Sequence, residues 1–443
     1  MNLQTLINIF KNNNKQLYKV GGCVRDEFMG LKPKDIDLTT DTIPDEIKKL
    51  LEQNNFQVIP LGEKFGTIAT YIDNIQVEIT TFRKEVYNID SRKPEVSFSK
   101  NIEDDLKRRD FTINTIAVNL ITNEVIDPFN GCNDILLRRI CTPVDANITF
   151  KEDPLRILRC ARFITRGFIP SSEVLIAAKK QHKRLEIVSD ERITEELNKI
   201  LTAPKGISTV AALLFLKDNK ILPLIFPELV DLYNLPQNNK YHMKDVWTHT
   251  LLVIQNTRND ARLRWAALFH DIGKPKAFEI HEDGIHFYQH EKDGEIIWRQ
   301  IASRLKGLDK KFISDVAFLI RNHMRLQNCK TSKSIKRTLF KCNEQGERIF
   351  NLLLELSEAD CTSGKYMKKE EVRKSIDEIR KVVFNIKEDK PKLPKGLGLI
   401  LIEKFNKPPG KWINEEKEKL YELIVSGKLN INPTIKECLS QLK

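Results

Sequence analysis

The hydrophobic period of the chain changes near residue 150. Before that point the apolar runs are short: LYKVGG, DIDLTT, GTIATYI and QVEITTF read as strands, the last two flanking the hairpin signal Asp73-Asn74. VRDEFMG and IPDEIKKLLEQN read as helices, the second with a cap expected at Asp41 or Thr42, and FTINTIAVNL as an apolar helix. Beyond residue 150, segments such as PLRILRCARFITR, SEVLIAAKKQHKRL and ERITEELNKILT carry apolar residues at spacings of three and four, the signature of amphipathic helices. Turns are expected at DGIHF and around Pro391, Pro394, Pro408 and Pro409. The fold class is therefore α+β: a head with a small mixed sheet, then a long all-α body.

Of 443 residues, 73 are Lys or Arg and 61 Asp or Glu, a net charge of +12 that suits an acidic partner, nucleic acid first. No run of 18 apolar residues occurs, so no membrane span is expected, and MNLQTLINIFKNNNKQ lacks the layout of a secretory signal. The eight cysteines are scattered without a C-x-x-C pair, which favours reduced thiols and a cytoplasmic location over a zinc ribbon or disulfide framework.

Asp35 and Asp37, in KDIDLTT, stand at the period of a strand and project to one face, with Ile36 and Leu38 facing a core. Two carboxylates so placed repel unless a cation lies between them, and Mg²⁺, hard and oxygen-seeking, is the natural guest. A solvated strand end is the alternative. Gly21 and Gly22 follow a strand and precede a helix, where backbone N–H groups meet an anion, and Arg25 adds a fork for phosphate. Glu78 interrupts a Val, Ile and Thr strand, and either faces solvent or completes a three-carboxylate cluster for two metals. Within LKRRDFTINTIA, Arg108 and Arg109 suit phosphates, and Asp110 and Asn114 suit ribose hydroxyls.

GGCVRDEFMGLKPKDIDLTT, RRDFTINTIA, DPFNGCNDI and KEDPLRILRCARF, in that order, resemble the motifs of class II tRNA nucleotidyltransferases, the CCA-adding enzymes and bacterial poly(A) polymerases. The resemblance implies catalysis by Asp35, Asp37 and Glu78 with Mg²⁺, and nucleotide binding by Gly21, Gly22, Arg25, Arg109, Asp110, Asn114, Asp153, Arg156, Arg159 and Arg162. Glu152, Asp153 and Arg156 match the E-D-x-x-R motif that acts as an amino-acid template for CTP and ATP. Asp153 and Arg156 are expected at i and i+3 on one helix face. The implied partners are tRNA, CTP and ATP. LGEKFGTIATYI is similar to the CCA-adding version of its strand and lacks the more basic segment of the polymerases. The polar loop in residues 80–98 matches the flexible loop needed to add A. Full CCA addition is the leading reading, followed by addition of A alone and then by poly(A) polymerase.

A second constellation looks like an HD domain, a helical phosphohydrolase fold that binds a divalent metal. His249 lies in an apolar helix, His270 and Asp271 adjoin at a helix end 21 residues on, and His290 and His323 follow. Asp360 is the expected last ligand, with Asp315 and Asp245 as alternatives. Histidines and carboxylates on separate helices suit Mn²⁺, Ni²⁺ or Zn²⁺. A hydrolase with an RNA-binding head is thus the competing enzyme class. The expected division is a nucleotidyltransferase head (1–145), a nucleotide-selecting neck (146–220), an HD-type body (221–365) and a helical tail (366–443) with a tRNA contact.

Overall fold

The computed structural model describes residues 2–33, 35–73, 75–86, 95–237, 245–326, 347–364, 369–386, 393–425, 427–430 and 432–442, with isolated positions between 331 and 342. The chain divides into two compact units, residues 1–203 with 208–227 and residues 204–207 with 228–443.

The first unit begins with α1 (Leu3–Asn12), β1 (Tyr18–Val20), α2 (Gly22–Phe28), β2 (Ile36–Thr40), α3 (Pro44–Gln53), β3 (Thr67–Ile72) and β4 (Ile75–Thr81). β5 (Arg83–Val86), β6 (Glu95–Phe98), α4 (Ile102–Lys107), β7 (Ala117–Asn119) and β8 (Val125–Ile126) follow. Six strands form one mixed sheet in the order β3-β4-β2-β1-β7-β8. β2 and β4 run parallel, with Asp37 opposite Glu78, while the other pairs are antiparallel. One face packs on α1 and α3 through Leu6, Phe10, Ile47 and Leu51 against Leu38, Ile68, Val77 and Ile79. Each such side chain contributes about 1.5–3 kcal/mol by leaving water.

After the sheet come α5 (Gly131–Leu136), β9 (Arg139–Ile140), α6 (Ala146–Glu152), α7 (Leu155–Ile164), β10 (Ile169–Pro170), α8 (Ser172–Gln181), α9 (Asp190–Leu201), α10 (Gly206–Asp218) and α11 (Ile221–Ile225).

Several local expectations are corrected. FTINTIAVNL is not a helix: a single 3₁₀ turn at Thr112–Asn114 leads into β7. Its β-branched residues Thr112, Ile113, Thr115 and Ile116 are all buried, and the Thr112 amide donates to Cys141 O at 2.9 Å, a tertiary bond that competes with helix. The cap of α3 is Ile43, with Pro44 at the first helical position. Asp41 instead accepts the Gln16 amide at 2.9 Å, and Thr42 bonds Thr40 at 3.0 Å. The polar segment 80–98 ends β4 and then forms an antiparallel pair, Arg83 opposite Phe98 through Val86 opposite Glu95; its centre, 87–94, lies outside the described residues. DGIHF supplies a strand rather than only a turn.

The second unit holds α12 (Val246–Asn256), α13 (Ala261–Phe269), the hairpin β11 (Phe278–His281) and β12 (Gly284–Phe287), α14 (His290–Arg304), α15 (Lys310–Asn322), α16 (Glu347–Ser363) and α17 (Lys369–Ile386). Asp245, Asp260 and Asp309 cap α12, α13 and α15 by accepting their first free amides. Trp265, Phe269 and Trp298 form the aromatic centre, with ring centroids 5.4–6.0 Å apart. α18 (Leu397–Phe405), α19 (Trp412–Val425) and α20 (Ile435–Ser440) close a separate cluster around Leu401, Leu420 and Cys438.

Candidate nucleotidyltransferase and metal sites

In the first unit, β2, the start of α2, β5, the segment after α4, α7 and α9 wall a cavity of about 1290 Å³. Of the residues singled out in the sequence, Gly21, Gly22, Arg25, Asp35, Asp37, Arg109, Asp110, Asn114, Asp153, Arg156, Arg159 and Arg162 all line it. Glu78 does not; it sits one strand over, opposite Asp37.

Gly21 caps α2 with φ +74, a backbone state that side chains disfavour. A Cβ there would stand 2.8 Å from Arg109 Nη1 and 3.8 Å from Asp37 Oδ2. The bare backbone thus leaves room for the Arg109 guanidinium against the turn, with the Asp37 carboxylate nearby. Asp35 is exposed on the bend before β2, and Asp37 is half-buried within it. Burial pushes the Asp37 carboxyl up from its usual pKa; Arg109 pulls it down and Asp35 adds to the rise. Glu78 is pushed up by burial, then by Asp37 and Asp35. Three mutually repelling oxygen donors are chemistry that a hard divalent cation relieves, though their oxygens do not all gather within 4.8 Å of one another as the donors of the second unit do.

The opposite wall is a chain of side-chain bonds. Arg25 Nη1 donates to Asn114 Oδ1 at 2.6 Å, Asn114 Nδ2 to Asp110 Oδ1 at 2.8 Å, and Arg159 Nε to Asp110 Oδ2 at 2.7 Å. Burial raises the Asp110 pKa, but Arg159 and Asn114 outweigh it and hold the carboxyl well below the carboxylate range. Both oxygens of the expected ribose ligand are thus engaged by the protein. Arg162 pairs with Glu196 at 3.0 Å.

Asp153 and Arg156 do not share a helix face. α6 ends at Glu152, and Asp153 is extended at φ −131, ψ 96. Pro154 is the reason: its ring disfavours helical backbone in the residue before it. Asp153 Oδ1 then accepts the Leu155 amide at 3.2 Å at the start of α7. Arg156, buried, donates through Nη2 to Arg108 O at 2.6 Å and lies 3.7 Å from Glu152.

Sequence reasoning missed Glu85, Arg83, Phe65, Arg192 and Lys199, which also line the cavity. Glu85 is paired with Arg83 at 2.8 Å and with Arg108 at 3.0 Å. Its placement comes from the β5–β6 pair, which the loop reading hid.

The second unit gathers six buried donors. The ligand atoms of His249, His270 and Asp360 lie within 4.8 Å of one another, and so do those of Asp271, His290 and His323. Asp271 joins the two sets: Oδ2 is 3.2 Å from His270 and 3.8 Å from His249, and Oδ1 is 3.4 Å from His290 and 3.9 Å from His323. His249 Nε2 is 2.9 Å from Asp360 Oδ1. Asp245 is only a helix cap and Asp315 pairs with Arg262 at 2.7 Å, so Asp360 is the aspartate brought to the cluster.

His270, His290 and His323 each hold Nδ1 at 2.8–2.9 Å from a main-chain oxygen three residues earlier. A carbonyl only accepts, so Nδ1 carries the proton and the Nε2 lone pairs face inward. His290 Nε2 and His323 Nε2 stand 3.2 Å apart. Two facing lone pairs repel, and a cation between donors removes the conflict. The donor set fits a transition metal.

Residues 17–141 match the poly A polymerase head domain, residues 167–232 the probable RNA- and SrmB-binding site of polymerase A, and residues 240–365 the HD domain. The chain thus matches a poly(A) polymerase head model and an HD-domain model, each over less than a third of its length. The head match spans Gly21 through Asn114, and the HD match spans all six donors of the second cluster. Asp153, Arg156, Arg159 and Arg162 fall between the head and the RNA-binding segment, in neither match.

The chain is 40% identical over 201 residues to the CCA-adding enzyme of Bacillus cytotoxicus, 45% of this chain and 49% of that protein. It is 38% identical over 212 residues to that of Staphylococcus aureus, 47% and 51%. It thus spans about half the length of the curated relatives it matches. In fold it resembles the Bacillus stearothermophilus CCA-adding enzyme in complex with CTP, at TM-score 0.65 and 23% identity, covering 97% of this chain and 93% of that one. The Thermotoga maritima CCA-adding enzyme complexed with tRNA matches at TM-score 0.59 and 20% identity, over 99% and 94%. Among the described residues, no helix is long and apolar enough to cross a membrane.

Proposed function

We propose that the chain is a template-independent tRNA nucleotidyltransferase that adds CCA to tRNA 3′ ends from CTP and ATP, in the cytoplasm. One observation carries this reading: Asp35 and Asp37 share a single cavity with Gly21, Arg109, Arg156, Arg159 and Arg162. The CCA-adding relatives, similar over half their length, support the choice of reaction.

Asp35, Asp37 and Glu78 would hold Mg²⁺, which when bound lowers the pKa of the attacking 3′ hydroxyl and neutralises phosphate charge. The turn at Gly21 brings main-chain N–H groups to the triphosphate. Arg109, Arg159 and Arg162 neutralise its oxygens, and Asp110 and Asn114 keep Arg159 and Arg25 aimed. Asp153 and Arg156 offer an acceptor and a donor fork to the base edge, which serves pyrimidine or purine selection.

The test is a gel assay with Mg²⁺ on three tRNA transcripts, ending before CCA, after one C and after CC, each given CTP, ATP or both. CCA addition that then stops is the expected result. Addition of A alone to the CC-ended transcript would make this an A-adding enzyme, and long A tails would make it a poly(A) polymerase.

The six-donor cluster favours a second activity in the same chain. His249, His270, Asp271 and Asp360, extended by His290 and His323, would hold Mn²⁺, Ni²⁺ or Zn²⁺ for phosphohydrolysis at RNA ends. Metal analysis of the pure protein and hydrolysis of 2′,3′-cAMP with added Mn²⁺ or Ni²⁺ test it. No metal and no hydrolysis would remove it.

A further inference from the structure

Two large aromatic rings lie exposed beside the cavity of the first unit. Phe65 is 48% exposed and Phe98 is 47% exposed. Phe82, near them in the chain, is fully buried, so this region has a core that accepts phenylalanine and these two are outside it. They flank one residue. Gly66 has φ +86, and a Cβ on it would stand 2.9 Å from Phe98 Cε1, so the Phe98 ring edge rests on the Gly66 backbone next to Phe65. Phe65 itself ends a single 3₁₀ turn, Glu63–Phe65, bracketed by left-handed Gly62 and Gly66.

The turn is fixed from the side by charge. Arg83 Nη1 donates to the Phe65 carbonyl oxygen, and Arg83 and Arg108 share Glu85. Phe65, Arg83 and Arg108 all line the cavity that holds Asp35 and Asp37. Exposed rings with guanidinium groups beside them are the arrangement that binds single-stranded nucleic acid: the ring takes the face of any base, and the cations take the phosphates.

We propose that Phe65 and Phe98 form a stacking platform for the bases at the 3′ end of a single-stranded RNA entering this cavity. The proposal rests on the nucleotidyltransferase reading and extends it to acceptor binding. A stacked ring accepts any base, which suits an acceptor end whose last base changes at each addition. Arg83 and Arg108 are paired with Glu85, but the cavity lining as a whole carries eight arginines and Lys199 against seven carboxylates, and that excess argues for RNA, a polyanion, as the occupant.

The probe is a single-stranded RNA ending in CC with 2-aminopurine in place of the last base, added to the full chain in EDTA so that no transfer occurs. Binding should quench the fluorescence. Phe65→Leu should relieve the quench and weaken binding by roughly an order of magnitude, the scale of one lost base stack. Phe98→Leu should do so as well, and Phe65→Trp should keep both. Under turnover, Phe65→Leu should raise KM for the acceptor and leave KM for CTP unmoved. Unchanged quench and acceptor KM in both leucine variants would overturn the proposal, as would a wild-type chain that never quenches the probe. A chain that quenches but adds no nucleotide would end the transfer reading and keep the platform. Addition without quench would end the platform and keep the transfer reading.

Discussion

Arg156 reaches across 48 residues of sequence to donate to the carbonyl oxygen of Arg108 at 2.6 Å. The guanidinium is thereby locked to the backbone of the segment that also supplies Arg109 and Asp110. Lysine has one ammonium and no planar fork, so it cannot hold this bond while presenting donors to a base. Arg156→Lys should blur the choice between CTP and ATP more than it weakens triphosphate binding, with a loss of about 2 kcal/mol, typical of a charged hydrogen bond. Single-turnover rates with each nucleotide check this; unchanged discrimination would refute the templating role.

Gly21→Ala is expected to damage the site twice. At φ 74 and ψ −132, outside the left-handed helical region, a Cβ strains the turn by about 1–3 kcal/mol. It also meets Arg109 Nη1 at 2.8 Å and pushes that guanidinium, which Asp105 holds at 3.0 Å, away from the turn. KM for both nucleotides should rise together, since the triphosphate is common to them. An effect on only one nucleotide would place Gly21 elsewhere in the mechanism.

Asp110 should matter for stability as well as activity. Asp110→Ala leaves Arg159 without its acid and Asn114 without its acceptor, and breaking such a buried pair costs about 3 kcal/mol. The folded pKa of Asp110 is depressed, so its contribution is present above the unfolded carboxylate pKa near 4 and is lost as pH falls toward the depressed folded value. The gap in melting temperature between wild type and Asp110→Ala should therefore be widest at neutral pH and narrow below about pH 4. A constant gap would mean the pair is not ionised in the fold.

If the six-donor cluster of the second unit holds a metal as proposed, Asp271→Asn should remove more of it than any histidine substitution, because its two oxygens face both donor sets. Chelation should lower the melting temperature of the wild type, and Mn²⁺ at about 100 times its Kd should restore about 2.7 kcal/mol. Asp271→Asn should show no such restoration. The measurement belongs in an Asp35→Asn, Asp37→Asn background, so that the head does not contribute. An equal loss of metal in His290→Ala and Asp271→Asn would contradict the joining role of Asp271.

Local chemistry was legible from the chain itself. The apolar period placed most helices of the body, and the pairing of Asp35 with Asp37, the Gly21-Gly22 turn and His270 beside Asp271 stood out because each is a short pattern with a local physical meaning. Pro154 also carried a readable signal, since a residue before proline resists helix, and Asp153 is indeed extended. That rule was outweighed by the helical spacing around it.

Readable along the chain are therefore the class of fold, the helical body and the residue types of two sites, because propensity, period and turn chemistry act over a few residues. Long-range packing places Glu85 between Arg83 and Arg108, draws β7 into the sheet in place of a helix, and turns His290 and His323 toward Asp271 alongside His249 and Asp360. Those donors come from segments as much as 111 residues apart. Their convergence depends on how helices pack around Trp265 and Trp298, a sum of many small apolar contacts with no local signature in the chain.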